Sequence, residues 1–135
     1  GVLVQETVTG GIEVIVGVSR DPQLGLMLLY GLGGTLVELM DGFSLRICPI
    51  TPWDAERMID EVKGSRLLNG FRGRPRADVP ALIDTLMKVS DLAVNLGDLV
   101  NEIDINPLMV HAEGKGVKAL DALVTMRSSD PGGSR

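Results

Sequence analysis

The stretch "NEIDINPLMV", residues 101–110, decides the fold, because it reads as a strand with polar side chains along one face. Successive side chains of a strand point to opposite faces, so its alternating polar and apolar residues separate onto two faces. The polar face carries Glu102, Asp104 and Asn106, and the apolar face carries Ile103 and Ile105. Three oxygen-bearing side chains in a row suit a cation. The solvated edge of an ordinary sheet would show the same pattern.

A second strand-like stretch, Gly116–Met126, follows the first one, Leu99–Val110, after a short turn at His111–Lys115. A turn centred near residues 113 and 114 pairs the two strands in one register. In that register Asn106 lies opposite Asp121, Leu108 opposite Ala119, and Val110 opposite Val117. Directly opposed side chains have Cβ atoms about 4.5–5.5 Å apart, which suits one shared divalent cation. Two protein oxygens plus water molecules are typical of Mg²⁺ that serves phosphate groups.

Two other interpretations of this hairpin stay open. A slip of one residue would move Asp121 to the opposite face of the sheet. Asp104 and Asn106 could instead bond to the nearby backbone where the strand meets Pro107. Zinc is disfavoured, because the chain has one Cys and one His, far apart in sequence.

The rest of the chain predicts an α+β fold with a largely antiparallel sheet and two main helices packed on it. Thr51 and Pro52 are a start signal for the first helix, while Asp78 begins and Gly97 ends a longer amphipathic one. The glycine-rich stretch Gly31–Gly34 predicts a loop. The other predicted strands are Val2–Glu6, Ile12–Ser19, Gly25–Tyr30, Leu36–Met40 and Phe43–Cys48, with a turn at Asp41–Gly42 between the last two.

Composition limits the classes of function. The chain has 135 residues, of which 44% are hydrophobic and 23% charged, as expected of one globular domain. A net charge of −5 without a basic run argues against nucleic acid as a partner. No apolar run approaches the ~20 residues of a membrane span, and the lone Cys48 indicates a reducing compartment. We therefore expect a cytoplasmic protein. No nucleophile–base pair is present, so no catalytic residue is assigned.

Several segments in collinear order resemble one known family. They are "VLVQETVTGGIEVIVGVSRDP", "YGLGGTLVEL", "LLNGFRGRPRADVPAL", "EIDINPLMV" and "ALDA". They are similar to the carboxy-terminal half of the ATP-grasp domain in NDP-forming acyl-CoA synthetases, relatives of the succinyl-CoA synthetase β subunit. The most specific part is the Ile-Asn-Pro-Leu run followed by Asp121. The resemblance implies an ATP-grasp carboxy-terminal subdomain at residues 1–126. The polar composition of residues 127–135 predicts a flexible tail.

The resemblance also implies a ligand set. The family interconverts acyl-CoA, phosphate and a nucleoside diphosphate with acid, CoA and a triphosphate, through an acyl phosphate and a phosphohistidine. By position, Asn106 and Asp121 match its Mg²⁺ (or Mn²⁺) ligands, and Asp104 matches a possible second carboxylate ligand. Glu13 matches a glutamate that binds the nucleotide, at the ribose. The linking strand that reads adenine corresponds to Gln5, Glu6 and Val8, and the Gly31–Gly34 loop resembles one near the phosphoryl-transfer end.

Other parts of such an enzyme have no counterpart in this sequence. They are the other ATP-grasp subdomain with its phosphate-binding lysine, the CoA-binding domain and the loop with the phosphorylated histidine, which His111 does not match. We therefore expect the isolated chain to be inactive, with ATP or ADP and the remaining domains of the enzyme as partners, and an exposed apolar face that favours a homo-oligomer. The alternatives are a non-catalytic ATP-grasp-like interaction domain and an unrelated α+β domain that binds calcium. The acyl group and the choice between ADP and GDP stay open.

Overall fold

The computed structural model describes residues 11–33, 42–70, 73 and 75–127. These residues form a six-stranded antiparallel sheet and two α-helices, which confirms the predicted α+β fold. The strands are β1 (Ile12–Asp21), β2 (Gly25–Leu32), β3 (Phe43–Ile47), β4 (Val100–Val110), β5 (Val117–Ala119) and β6 (Ala122–Met126). The helices are α1 (Pro52–Glu61) and α2 (Val79–Leu96), with 3₁₀ turns at Ser65–Asn69 and Gly97–Leu99.

The long strand β4 organises the sheet. The strand order is β3-β2-β1-β4-β5, and β6 pairs with β4 beyond the end of β5. One edge of β4 therefore pairs with β1, while its other edge pairs with both β5 and β6. Every described pair is antiparallel.

Strand β1 shows why the sheet has one buried face. Its residues Val14, Val16 and Val18 are at most 2% exposed and belong to the core cluster together with buried residues of both helices. The intervening residues, Glu13, Ile15, Gly17 and Ser19, point to the opposite face, as the alternation predicted. We call that opposite face, which no described helix covers, the open face.

The helix starts and the end of α2 lie where the sequence predicted them. The Oγ1 atom of Thr51 accepts from the Asp54 N–H (3.1 Å), and the Asp54 carboxylate accepts from the Thr51 N–H (2.9 Å), so α1 begins with a capping box. Asp78 caps α2 through the Ala81 N–H. At Gly97 a positive φ of 54° ends α2.

The helices contact the sheet through apolar stripes. The buried residues of α1 are Ala55, Met58 and Ile59, and those of α2 are Leu82, Leu86, Val89, Ser90 and Ala93. Leu82, Leu86, Val89 and Ala93 recur at intervals of three or four residues, as expected of the predicted amphipathic helix. Leu96, at the carboxy-terminal end of α2, is only half-buried. This layer separates the core from solvent on one side of the sheet only.

The predicted second strand of the hairpin is divided into β5 and β6. The interruption lies opposite Pro107: the Leu120 N–H donates to the Pro107 carbonyl (3.0 Å), but proline has no N–H to return a bond. Strand ends elsewhere differ from the prediction by one or two residues. Strands predicted at Val2–Glu6 and Leu36–Met40, Asp41 of the predicted turn, and the tail from residue 128 onward lie outside the described residues.

Candidate functional site

The hairpin of β4 with β5 and β6 has the predicted register. Leu108 pairs with Ala119 and Val110 with Val117 in one half. In the other half Ile105 pairs with Ala122 and Asp104 with Leu123. Between these halves the Asn106 N–H donates to the Asp121 carbonyl (3.0 Å), so the two residues are directly opposed.

The polar side chains of β4 lie on the open face. Glu102, Asp104 and Asn106 are exposed, and so is Asp121 on the facing segment. On the core side Ile103 is only 3% exposed, and Ile105 packs against the core cluster. The structure thus brings Asp104, Asn106 and Asp121 together on one surface.

A bulge in β4 lies at the same place. The register between β1 and β4 shifts from Val14 opposite Leu108 to Val16 opposite Ile105, so β4 has one extra residue next to Ile15. A bulge changes the direction in which side chains point. As a result, Leu108 and Ile105 both reach the core although their positions differ in parity, while Asn106 keeps its place on the open face.

Glu13 of β1 lies on the same open face, next to a more carboxy-terminal position of β4. It pairs with Met109, which is three residues from Asn106 and therefore about 10 Å away along the strand, at ~3.3 Å per residue. The Glu13 carbonyl accepts from the Gly33 N–H (2.8 Å). A Cβ atom at Gly33 would be 3.1 Å from the Glu13 Cβ, so the glycine allows this close approach.

The remaining predicted nucleotide residues, Gln5, Glu6 and Val8, lie outside the described residues. The loop predicted at Gly31–Gly34 is partly wrong, because Gly31 and Leu32 are the last residues of β2. Leu32 is 1% exposed and belongs to the core cluster, which explains why the strand extends to it.

A hollow in the open face, which sequence reasoning missed, lies beside Asp104. Its volume is about 230 Å³, and it is lined mainly by Ile15, Gly17, Ser19, Leu29, Glu102 and Asp104. Gly17 pairs with Asp104 and supplies no side chain to fill the space. A single glycine within a predicted strand was the available signal, since such a residue often marks a close approach by a ligand or backbone.

The donor set of the site is small. Within the described residues, no group of three or more His, Cys, Asp or Glu side chains is arranged to enclose a metal ion. The oxygen donors of Asn106, Asp121 and Asp104 lie on an open surface, so the protein would occupy only some of the coordination positions of a cation. The remaining positions are available to a ligand and to water.

Comparison with known proteins agrees with this geometry. A model of the ATP-grasp domain matches residues 1–126, and this range includes β1, the hairpin and all of the candidate site. The chain belongs to the ATP-grasp family. Because the match covers nearly the whole chain, an unrelated α+β domain is excluded.

The ATP-grasp relatives are ADP-forming acid–CoA ligases. The β subunit of acetate–CoA ligase (ADP-forming) II from Pyrococcus furiosus is 42% identical over 127 residues, which cover 94% of this chain and 54% of the relative. Acetate–CoA ligase (ADP-forming) I from Archaeoglobus fulgidus is 46% identical over 117 residues, which cover 87% of this chain and 17% of the relative. The chain thus spans about half of one relative and a smaller part of the other.

A solved structure shares the fold. It is the dinucleotide-forming acetyl-coenzyme A synthetase 1 of Candidatus Korarchaeum cryptofilum, in complex with coenzyme A and Mg-AMPPCP. The TM-score is 0.80 at 40% identity, covering 87% of this chain and 54% of that chain. In that protein a phosphohistidine segment points towards the nucleotide binding site.

No helix in the described part of the present chain has the length and apolar character needed to cross a membrane.

Proposed function

We propose that this ATP-grasp chain supplies half of the ATP- and magnesium-binding site of an ADP-forming acid–CoA ligase. The observation that carries the proposal is the direct opposition of Asn106 and Asp121 on the open face of an ATP-grasp sheet. The same residues would have little use in a non-catalytic interaction domain, which is the alternative.

The donor chemistry fits magnesium. Mg²⁺ prefers oxygen ligands and usually takes one or two carboxylates together with water and substrate phosphates. Asn106 would offer its amide oxygen and Asp121 its carboxylate, with Asp104 as a further ligand on the same strand. Mn²⁺ accepts the same ligands. Calcium fits less well, because it takes 6–8 oxygens and these residues offer few.

Glu13 would bind the nucleoside end of the ligand. Its carboxylate can accept hydrogen bonds from the ribose hydroxyl groups. Its separation of about 10 Å from Asn106 along β4 leaves room for a phosphate chain between the ribose and the metal. Gln5, Glu6 and Val8 precede Glu13 in sequence and would contact the adenine.

The chemistry of phosphoryl transfer explains this small set of groups. Bound magnesium neutralises phosphate charge and aligns the reacting groups, so the protein needs few covalent participants. Asn106 and Asp121 would hold fixed oxygen positions on a rigid strand pair, and Glu13 would fix the other end of the nucleotide. The open face would need a cover that excludes water, and the other ATP-grasp subdomain would provide it.

The rest of the ligase would come from parts outside this chain. We propose that the other ATP-grasp subdomain, the CoA-binding domain and a phosphohistidine segment complete the enzyme, within one polypeptide or several. The hollow beside Asp104 and Gly17 offers space for such a segment to approach the end of the phosphate chain. Since ATP and coenzyme A are cytoplasmic metabolites, we propose a cytoplasmic location.

The products of the assembled ligase test this function. The ligase, in which this chain is joined to the domains named above, is supplied with acetate, coenzyme A, ATP and Mg²⁺, and the nucleotide products are separated. We expect acetyl-CoA, ADP and phosphate in equal amounts. AMP and pyrophosphate would contradict the proposal, and so would no turnover with acetate or with a panel of other carboxylic acids. The isolated chain is the control, and we expect no turnover from it.

A further inference from the structure

Asp78 has more partners than a helix cap requires. In the part of the chain that the structure describes, it is the only buried residue with an acidic or basic side chain, at 8% exposure. One carboxylate oxygen accepts from the Ala81 N–H (3.2 Å) and caps α2. The other oxygen accepts from the Gly114 N–H (3.1 Å) and the Gly116 N–H (2.8 Å) in the turn between β4 and β5.

The backbone around Asp78 follows the same turn. The Asp78 N–H donates to the His111 carbonyl (2.8 Å), and the Glu113 N–H donates to the Arg76 carbonyl (2.8 Å). Ala77 forms an isolated bridge with Ala112. The backbone of the segment before α2 therefore bonds to the β4 side of the turn, while the Asp78 carboxylate bonds to the tip at Gly114 and to the β5 side at Gly116.

The turn has a conformation that depends on glycine. Gly114 has a φ of 85° and Gly116 a φ of 81°, which residues with a Cβ atom rarely adopt. The N–H groups of these two glycines both meet the same oxygen of Asp78. A cap needs only the bond to Ala81, so the other two bonds serve the hairpin.

The turn supports the register of the candidate metal pair from one side. Strand β6 fixes the register on the far side of Asp121, but towards the turn β5 has only three residues and the ladder is incomplete at Pro107, so the position of Asp121 on that side depends on a short strand and on the turn. A slip of one residue would turn Asp121 to the core side of the sheet. We propose that Asp78 is a positioning residue that keeps Asn106 and Asp121 opposed, and so sets the magnesium affinity of the nucleotide site. This inference rests on the proposed function.

Asp78→Ser separates the two roles. A serine at this position still caps α2, because its hydroxyl oxygen can accept from the Ala81 N–H. Its side chain is too short to reach Gly114 and Gly116 as well. In the assembled ligase we expect Asp78→Ser to raise by roughly 10-fold both the Mg²⁺ concentration for half-maximal ATP binding, measured by calorimetry, and that for half-maximal rate at saturating ATP, as for other residues that orient metal ligands. The kcat at saturating Mg²⁺ should stay close to that of the unsubstituted ligase.

Two further variants make the outcome decisive. Thr51→Ala removes the cap of α1, away from the hairpin, and should leave the Mg²⁺ requirement unchanged. An equal rise in Thr51→Ala would overturn the inference, because general destabilisation would explain both. Asp121→Ala is titrated in parallel. If Asp121→Ala raises the requirement and Asp78→Ser does not, the inference fails and the proposed function stands; if neither raises it, the proposed function fails. Should Asp78→Ser not fold, Asp78→Asn is titrated and the same outcomes decide.

Discussion

Two buried polar side chains, Ser90 and Asp78, connect parts of the domain that are far apart in sequence. The Ser90 hydroxyl oxygen accepts from the Ile50 N–H (3.0 Å) and joins α2 to the segment before α1. Asp78 joins the start of α2 to the hairpin turn. A buried polar group without a partner is costly, so the bonds of the Ile50 N–H and of the Asp78 carboxylate contribute to stability beyond their own strength.

Replacing Ser90 tests this contribution. Ser90→Ala leaves the Ile50 N–H without an acceptor in the interior, where Ser90 itself is 0% exposed. We expect the free energy of unfolding to fall by about 1–3 kcal/mol, measured by urea denaturation. Ser65→Ala is the control, because its hydroxyl makes a bond of 3.3 Å at the surface, and it should change stability by about 0.5 kcal/mol or less. Equal losses in the two variants would contradict this assignment.

The partners of Asp78 illustrate where sequence reasoning stops for single residues. Its role as a cap was predictable, because Asp before a helix with an N–H three residues later is a local pattern. Its bonds to Gly114 and Gly116 span 36 and 38 residues, and no local signal connects those positions. The pairing of Asn106 with Asp121 was predictable for the opposite reason, since a short turn and two alternating strands set it.

Among the helices and strands, the features predicted correctly are those whose sequence signal lies within a few neighbouring residues. The helix start signal at Thr51 and Pro52 and the glycine end of α2 are contained in a few residues, and both are confirmed. The division of the last strand at Pro107 and the bulge beside Ile15 depend on pairing between β4 and its two neighbours. Both features lie at the candidate site and change how its side chains are presented.

The packing of α2 against the sheet can be tested at two of its leucines. Leu86 is 0% exposed and faces the core, whereas Leu92 on the same helix is 44% exposed. We expect Leu86→Ala to lower the free energy of unfolding by about 2–5 kcal/mol, through lost burial and a cavity. Leu92→Ala should cost about 0.5 kcal/mol or less. Urea denaturation of both variants measures the difference, and similar losses would show that α2 does not pack as described.

The open face of the domain has an apolar half and an acidic half. Phe43, Leu45 and Ile47 of β3 are 47–50% exposed and make one half apolar. The other half carries Glu102, Asp104 and Asp121. In an assembled ligase we expect the missing parts to cover this face, and a homo-oligomer of the isolated chain stays a prediction. The family and fold were predictable from motifs along the chain. The hollow at Gly17 was not, because residues of three strands, β1, β2 and β4, line it together.

Whether Asn106 and Asp121 hold magnesium is tested most directly by calorimetric titration of ATP into the assembled ligase at increasing Mg²⁺ concentrations. We expect Asp121→Ala to need at least roughly 10-fold more Mg²⁺ for the same ATP affinity, because one of two opposed oxygen ligands is lost. Asp98→Ala is the matched control, since that side chain is 96% exposed and lies in the 3₁₀ turn before β4; it should bind as the unsubstituted ligase does. If Asp121→Ala also binds ATP with an unchanged Mg²⁺ requirement, Asn106 and Asp121 do not hold the metal, and the account of this site is wrong.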